Sequence, residues 1–116
     1  GVVTGEFGGS SYAALQLPST SGSGTPTLAD YAYVGSMPST PDGYGFSAGF
    51  DPHTVTAYTS PNNGKSYAVF ADYAGGDTPT WLGVVDLSCV LALPRDAGTH
   101  NVTGDTSSCT RYVAIP

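Results

Sequence analysis

Positive charge is scarce in this sequence. Its 116 residues contain only three lysines and arginines, at Lys65, Arg95 and Arg111, against nine aspartates and glutamates. Proteins that bind nucleic acids neutralise phosphates with clustered cations. The net charge is −6 and the three cations lie far apart along the chain, so we expect no nucleic-acid partner.

Long hydrophobic runs and helical periodicity are missing as well. A membrane-spanning helix needs about 20 apolar residues, whereas the longest low-polarity stretch, residues 84–93, contains Asp86 and Ser88. We therefore expect no membrane insertion. The sequence begins at Gly1 and not at a methionine, and we expect it to be a processed piece of a longer precursor.

Cysteine occurs at only two positions, Cys89 and Cys109. If they pair, the disulfide closes a loop of roughly 20 residues, which is worth about 3 kcal/mol in the chain-entropy model. The alternative is two buried free thiols. Glycine, serine and threonine are abundant, while lysine and glutamate occur once each. Together with a disulfide, this composition predicts a secreted protein, either extracellular or periplasmic.

What the sequence does contain is a series of β-strand signals. Runs of β-branched and aromatic residues alternate with turns rich in glycine and proline, and Asn63-Gly64 tolerates the positive φ of a tight hairpin. The predicted strands are Val2–Phe7, Ser11–Leu15, Leu28–Val34, His53–Thr59, Ser66–Tyr73, Trp81–Leu87, Cys89–Leu93 and Arg111–Ile115.

These strands recur as a module. Ser66–Phe70 is similar to Ser11–Leu15, and residues 52–56 are similar to residues 99–103. A repeat of about 45–55 residues with four short strands is typical of a β-propeller blade. We therefore predict one all-β unit over residues 1–116, with approximate blades at 1–48 and 49–97 and part of a third at 98–116. In this partial β-propeller Cys89–Leu93 is an outer strand. The alternative is a β-sandwich.

Three segments resemble a known family. They are Gly49-Phe-Asp-Pro-His-Thr-Val55, Asn63-Gly-Lys-Ser-Tyr-Ala-Val-Phe-Ala-Asp72 and Leu82-Gly-Val-Val-Asp-Leu87. They look like the repeats of secreted bacterial β-propellers of the YVTN, lactonase-like or LVIVD kind, and the resemblance is clearest over residues 49–103. It implies blade-like repeats, although a closed ring has typically 4–8 blades.

A partial ring would leave strand edges and sheet faces uncovered. We therefore expect an exported, non-enzymatic protein with a binding or self-assembly role. It would complete its fold with copies of itself, as a homo-oligomer, or with the remainder of a precursor. An extracellular filament subunit is an alternative.

The two histidines are the candidate metal ligands. In the blade interpretation His53 and His100 open inner strands of successive blades, and Asp51 lies two residues before His53. Imidazole and carboxylate groups at a propeller axis would suit a transition metal or general acid–base catalysis. This is the alternative of a metal-dependent or lactonase-like enzyme. The simpler interpretation is that both imidazoles bond to backbone groups and that no cofactor binds. The one Gly-x-Ser-x-Gly pentapeptide, Gly45-Phe-Ser-Ala-Gly49, is followed by a predicted strand and not by the helix that a nucleophile elbow requires, so we assign no catalytic residue.

Aromatic residues are the candidate ligand-binding groups. Trp81 and Tyr58 could stack against a ligand such as a sugar. Most of the eight tyrosines are expected instead to pack in the core of the repeats.

Overall fold

The described part of the chain consists of seven strands and one short helix. The computed structural model describes residues 2–5, 11–16, 30–41, 52–72 and 81–114. The helix α1 spans Leu87–Leu91, and a 3₁₀ turn at Ser107–Cys109 precedes the last strand. The strands are β1 (Val2–Gly5), β2 (Tyr12–Gln16), β3 (Asp30–Val34), β4 (Pro52–Thr59), β5 (Ser66–Asp72), β6 (Trp81–Asp86) and β7 (Thr110–Ala114).

The strands form two antiparallel sheets, which confirms the all-β class. One sheet has the order β1-β2-β3 and the other the order β4-β5-β6-β7. The hairpin between β4 and β5 lies where the sequence predicts a turn. Gly64 has a φ of 70°, and the amide of Ser60 donates to the carbonyl of Lys65 at 2.8 Å. A side chain at position 64 would be strained in this left-handed conformation.

A single hydrophobic core unites the two sheets. Alternate residues of β2 and β3 are buried together with alternate residues of β5 and β6, and the rings of Tyr12 and Phe70 have their centroids 5.1 Å apart. The structure thus shows two antiparallel sheets with one shared core, and a propeller is not shown. The core consists of Tyr12, Ala14, Ala32, Val34, Met37, Ala68, Phe70, Val85, Leu87, Val90 and Cys109.

Tyr12 brings a polar atom into this core. Its side chain is 1% exposed, and its hydroxyl has no hydrogen-bond partner among the residues that the structure describes. Burial raises the pKa of this phenol well above its usual range. Leaving a buried donor unsatisfied costs about 1–3 kcal/mol.

We therefore expect Tyr12→Phe to raise the free energy of unfolding, by up to about 2 kcal/mol, because it removes only the unsatisfied hydroxyl. Tyr112→Phe is the matched control. The Tyr112 hydroxyl donates to the carbonyl of Pro38, so its loss is expected to destabilise the protein by about 1 kcal/mol. Urea unfolding measures both variants. A destabilised Tyr12→Phe protein would show that the hydroxyl is satisfied.

The predicted outer strand Cys89–Leu93 is wrong, because this segment belongs to a helix. Asp86 at the end of β6 caps α1, since its Oδ1 accepts from the amide of Cys89 at 3.1 Å. Leu87 and Val90, three residues apart, bury one face of the helix in the core. A capping aspartate and helical spacing of the apolar residues thus outweigh the β-forming character of the run.

The fourth strand of the larger sheet is β7. It pairs with β6 in the register Leu82 to Val113 and Val84 to Arg111. In the blade interpretation this strand belongs to the following blade. The observed sheet is therefore a four-stranded meander, as a blade requires, but α1 and a long loop separate its last two strands.

His100 does not open a strand. It lies in the loop between α1 and β7 and has a φ of 62°. The loop turns because Asp96 accepts hydrogen bonds from the amides of Gly98 and Thr99, at 2.9 and 3.0 Å. These bonds hold the pKa of Asp96 below its usual range. The predicted equivalence of His53, which lies within β4, and His100 is therefore wrong.

Candidate binding face on the larger sheet

The side of the β4–β7 sheet that points away from the core is the candidate functional surface. We call it the outer face. Because side chains alternate along each strand, the pairing register assigns its residues to three rows across the sheet. These rows are Tyr58, Tyr67 and Asp86; Thr56, Val69, Val84 and Arg111; and Thr54, Ala71, Leu82 and Val113.

The outer face is unusually apolar for a sheet surface. The solvent side of an antiparallel sheet normally carries polar residues. Here Val69, Ala71, Leu82 and Val84 occupy its centre, and they are only partly buried. Tyr58 is 51% exposed and Val113 is 47% exposed. β5 and β6 thus carry apolar residues on both sides, which is the pattern of strands that are covered on both sides.

A groove crosses the hairpin end of this face. It has a volume of about 680 Å³ and is floored by Val69 and Val84. Tyr58 and Tyr67 line one side, and Arg111 of β7 lines the other. We call it the tyrosine groove. A smaller cavity of about 290 Å³, between Thr56 and Leu82, lies at the opposite end of the face.

Charge on the outer face is sparse and mostly paired. Lys65 Nζ donates to Asp86 Oδ2 at 3.5 Å, and Asn63 Nδ2 donates to the hydroxyl of Tyr67 at 3.0 Å. Arg111 is exposed, and no hydrogen bond or ion pair links its guanidinium group to another described residue. The face therefore presents an unpaired guanidinium beside an apolar floor.

The third cation of the chain is held elsewhere. Arg95 Nη1 donates to Asp30 Oδ1 at 2.7 Å and to the carbonyl of Tyr31 at 2.6 Å. Its Nη2 donates to Asp30 Oδ2 at 3.1 Å and to the carbonyl of Leu91 at 3.0 Å. This bidentate pair ties α1 to β3. The hydrogen bond from Arg95 holds the pKa of Asp30 below its usual range.

We expect Arg95→Met to lower the free energy of unfolding by about 1–2 kcal/mol near neutral pH, because two backbone carbonyls lose their donor. The variant should also respond less to acid. Asp30 has a lowered pKa in the folded protein, so its contribution to stability is present above its unfolded pKa of about 4. That contribution disappears as the pH falls through the folded value. In the Arg95→Met protein the hydrogen bond that lowers the pKa of Asp30 is lost, so this pH-dependent contribution to stability is lost as well.

Urea unfolding at about pH 6, 4 and 3 measures this effect. Lys65→Met is the matched control, because its ion pair is more exposed, with 54% of the Lys65 side chain accessible. It should leave both stability and acid response close to those of the wild-type protein. An equal acid response of the wild-type and Arg95→Met proteins would contradict the assignment.

The predicted metal ligands are only partly described. Asp51 lies outside the described residues, and the side chain of His53 is not among those described. His100 stacks on Tyr31, with ring centroids 4.0 Å apart. Within the described residues no group of three or more histidines, cysteines or acidic residues is close enough to hold a metal ion. The metal site therefore stays a prediction.

The two aromatic residues predicted to bind ligands lie on opposite sides of the sheet. Tyr58 is on the outer face and lines the tyrosine groove. Trp81 shares the core-facing side of β6 with Gly83 and Val85, and it packs against the core. The sequence prediction did not include Tyr67, Val84 or Arg111. Apolar residues at successive positions of β5 and β6 were the signal that could have identified this surface.

The predicted disulfide is present. Cys89 of α1 and Cys109 of the 3₁₀ turn are bonded, with their Cα atoms 5.5 Å apart. In the described part of the chain, no helix has the length and apolar composition needed to cross a membrane. A disulfide-bonded chain of this kind is compatible with an extracellular or periplasmic location.

Comparisons with protein-family models, curated proteins and solved structures find no match to this chain.

Proposed function

We propose that this is an exported, non-enzymatic protein that acts by associating with a second copy of the same chain through the outer face. The observation that carries the proposal is the apolar centre of that face, formed by Val69, Val84 and Leu82, which stay partly exposed. Burying apolar surface is the main driving force for association. Exposed apolar surfaces that are rimmed by polar groups mark interaction sites.

The residue types on the outer face are those of a protein–protein interface. Tyrosine and arginine are enriched among residues that dominate binding energy, and they act where an apolar surround excludes water. Tyr58, Tyr67 and Arg111 stand around the apolar floor of the groove. Lys65 and Asp86 form a polar rim at the hairpin end. The tyrosine groove gives a protruding side chain of the partner a place to insert.

Charge favours this face over the rest of the surface for contact with a second copy. The whole chain has a net charge of −6, so two copies repel each other over most of their surface. The outer face is an exception, because its one acidic residue, Asp86, is paired with Lys65 and Arg111 adds a positive charge. Two acidic chains can therefore meet here without bringing unpaired carboxylates together.

Export is supported by the disulfide between Cys89 and Cys109. The enzymatic alternative rests on His53, His100 and Asp51, and no described contact favours it. The filament alternative requires contacts that do not close between two copies. It therefore becomes an outcome of the experiment that tests association.

Sedimentation equilibrium over a range of concentrations tests the proposal. We expect the wild-type chain to form a dimer that dissociates on dilution, and Val84→Lys to remain monomeric with an unchanged circular dichroism spectrum. Ala97→Lys is the matched control, because Ala97 is exposed in the turn after Arg95, away from the outer face, and it should dimerise normally. A wild-type monomer at millimolar concentration would refute the proposal. Open-ended assembly that is also lost in Val84→Lys would favour the filament alternative.

A further inference from the structure

We infer that the two copies pack with a twofold axis parallel to their strands, so that β7 of each copy lies across β4 of the other and Arg111 contacts the second copy's Tyr58. This inference rests on the proposed association. It concerns the arrangement and the specificity of the contact, which the proposed association does not determine.

The position of Arg111 on the sheet leads to this arrangement. β4 and β7 are the two edge strands of the larger sheet. Arg111 lies on β7, in the same row as Thr56 of β4, and Tyr58 lies one row away on β4. The unpaired guanidinium and the most exposed described tyrosine are thus at opposite edges of one surface.

Two stacked copies of a sheet with aligned strands can be related by two different twofold axes in the plane between them. An axis perpendicular to the strands places β7 on β7, and where it passes through the middle row of the face it brings the two Arg111 guanidinium groups together. Like charges in a desolvated contact are costly, and no described carboxylate of the outer face is free to compensate them, since Asp86 is paired with Lys65.

An axis parallel to the strands places β7 on β4 instead. Each Arg111 then meets the second copy's Thr56 and Tyr58, and the symmetry makes this contact twice. A guanidinium over a tyrosine ring is a favourable cation–π arrangement. The long arginine side chain spans the offset of one row, which is two residues along the strand. Contacts of Arg111 therefore favour the axis parallel to the strands, where it meets Tyr58, and disfavour the perpendicular axis, where it meets a second Arg111.

Cross-linking of variants with one added cysteine distinguishes the two axes while leaving Arg111 and Tyr58 intact. Thr54 and Val113 lie at opposite ends of one row, and both are exposed. We expect a short bis-maleimide to cross-link a mixture of the Thr54→Cys and Val113→Cys proteins, and neither protein alone. The Thr56→Cys protein alone should not cross-link, because the parallel axis separates the two Thr56 residues by the width of the sheet.

The outcomes separate this inference from the proposed function. A dimer that cross-links through Thr56→Cys alone, or that gives no cross-link in the mixture, would overturn the arrangement while association itself stands. Absence of a dimer would refute the proposed function. Cross-linking in the mixture, but in neither variant alone, supports the axis parallel to the strands.

A double-mutant cycle tests the contact between Arg111 and Tyr58. Arg111→Gln and Tyr58→Leu should each weaken dimerisation about tenfold, and the double variant should be no weaker than either single variant. Tyr58→Phe, which keeps the ring, should dimerise normally. If the reductions in dimerisation affinity of the two single variants multiply in the double variant, Arg111 and Tyr58 do not contact each other across the dimer.

Discussion

Replacing Phe70 with alanine should lower the free energy of unfolding by about 3–5 kcal/mol. The Phe70 ring is fully buried, faces Tyr12 across the core and belongs to the cluster that joins the two sheets. Its removal leaves a cavity between the sheets. β2 and β5 cannot move together to close it without losing the register that each strand has with its neighbours in its own sheet. Domains of this size are stable by only about 5–15 kcal/mol, so the variant should be close to unfolding.

Urea unfolding at low protein concentration measures this loss. Phe70→Leu should lose much less, because most of the buried volume remains. Tyr58→Ala is the matched control for an aromatic residue that is 51% exposed, and it should change stability by no more than about 0.5 kcal/mol. A Phe70→Ala protein as stable as this control would mean that the two sheets do not share a core.

Removing the disulfide should have the next largest effect, a loss of about 3 kcal/mol. The bond closes a loop with a sequence separation of 20 residues, and cross-linking such a loop reduces the entropy of the unfolded chain. It also fixes α1 to the 3₁₀ turn that leads into β7. The Cys89→Ala, Cys109→Ala double variant should therefore lose stability and exchange the amide hydrogens of β7 faster than those of β5.

The reduced wild-type protein is the control, and it should match the double variant in urea unfolding. Because β7 carries Arg111 and Val113, both proteins should also dimerise more weakly than the oxidised protein. Hydrogen exchange monitored residue by residue checks the local effect. Equal protection of β7 in the oxidised and reduced proteins would contradict a role for the disulfide in holding this strand.

Most strands could be predicted because alternation of apolar and polar residues is a local property. The prediction was close for β4, β5 and β6, where β-branched and aromatic residues are dense and the Asn63-Gly64 turn fixes the hairpin. It failed at Cys89–Leu93, since a short apolar run does not distinguish a strand from a buried helix. Asp86, a favoured helix-capping residue, was the available signal.

The outer face was harder to predict. Strand alternation shows that Trp81 and Val84 point to opposite sides of β6, but it does not show which side is the core. That depends on which strands pair, and β7 reaches β6 only after the loop that contains His100. The sequence prediction grouped Trp81 with Tyr58 because both are aromatic, although the register places them on opposite sides.

One carboxylate connects the outer face to the covalent cross-link. Asp86 Oδ2 accepts from Lys65 at the rim of the tyrosine groove, while Oδ1 holds the amide of Cys89, the residue that carries the disulfide. A molecule that docks in the groove and draws Lys65 away changes the electron density on this carboxylate. The Cys89 amide proton should then shift in an NMR spectrum, which makes it a built-in reporter of occupancy.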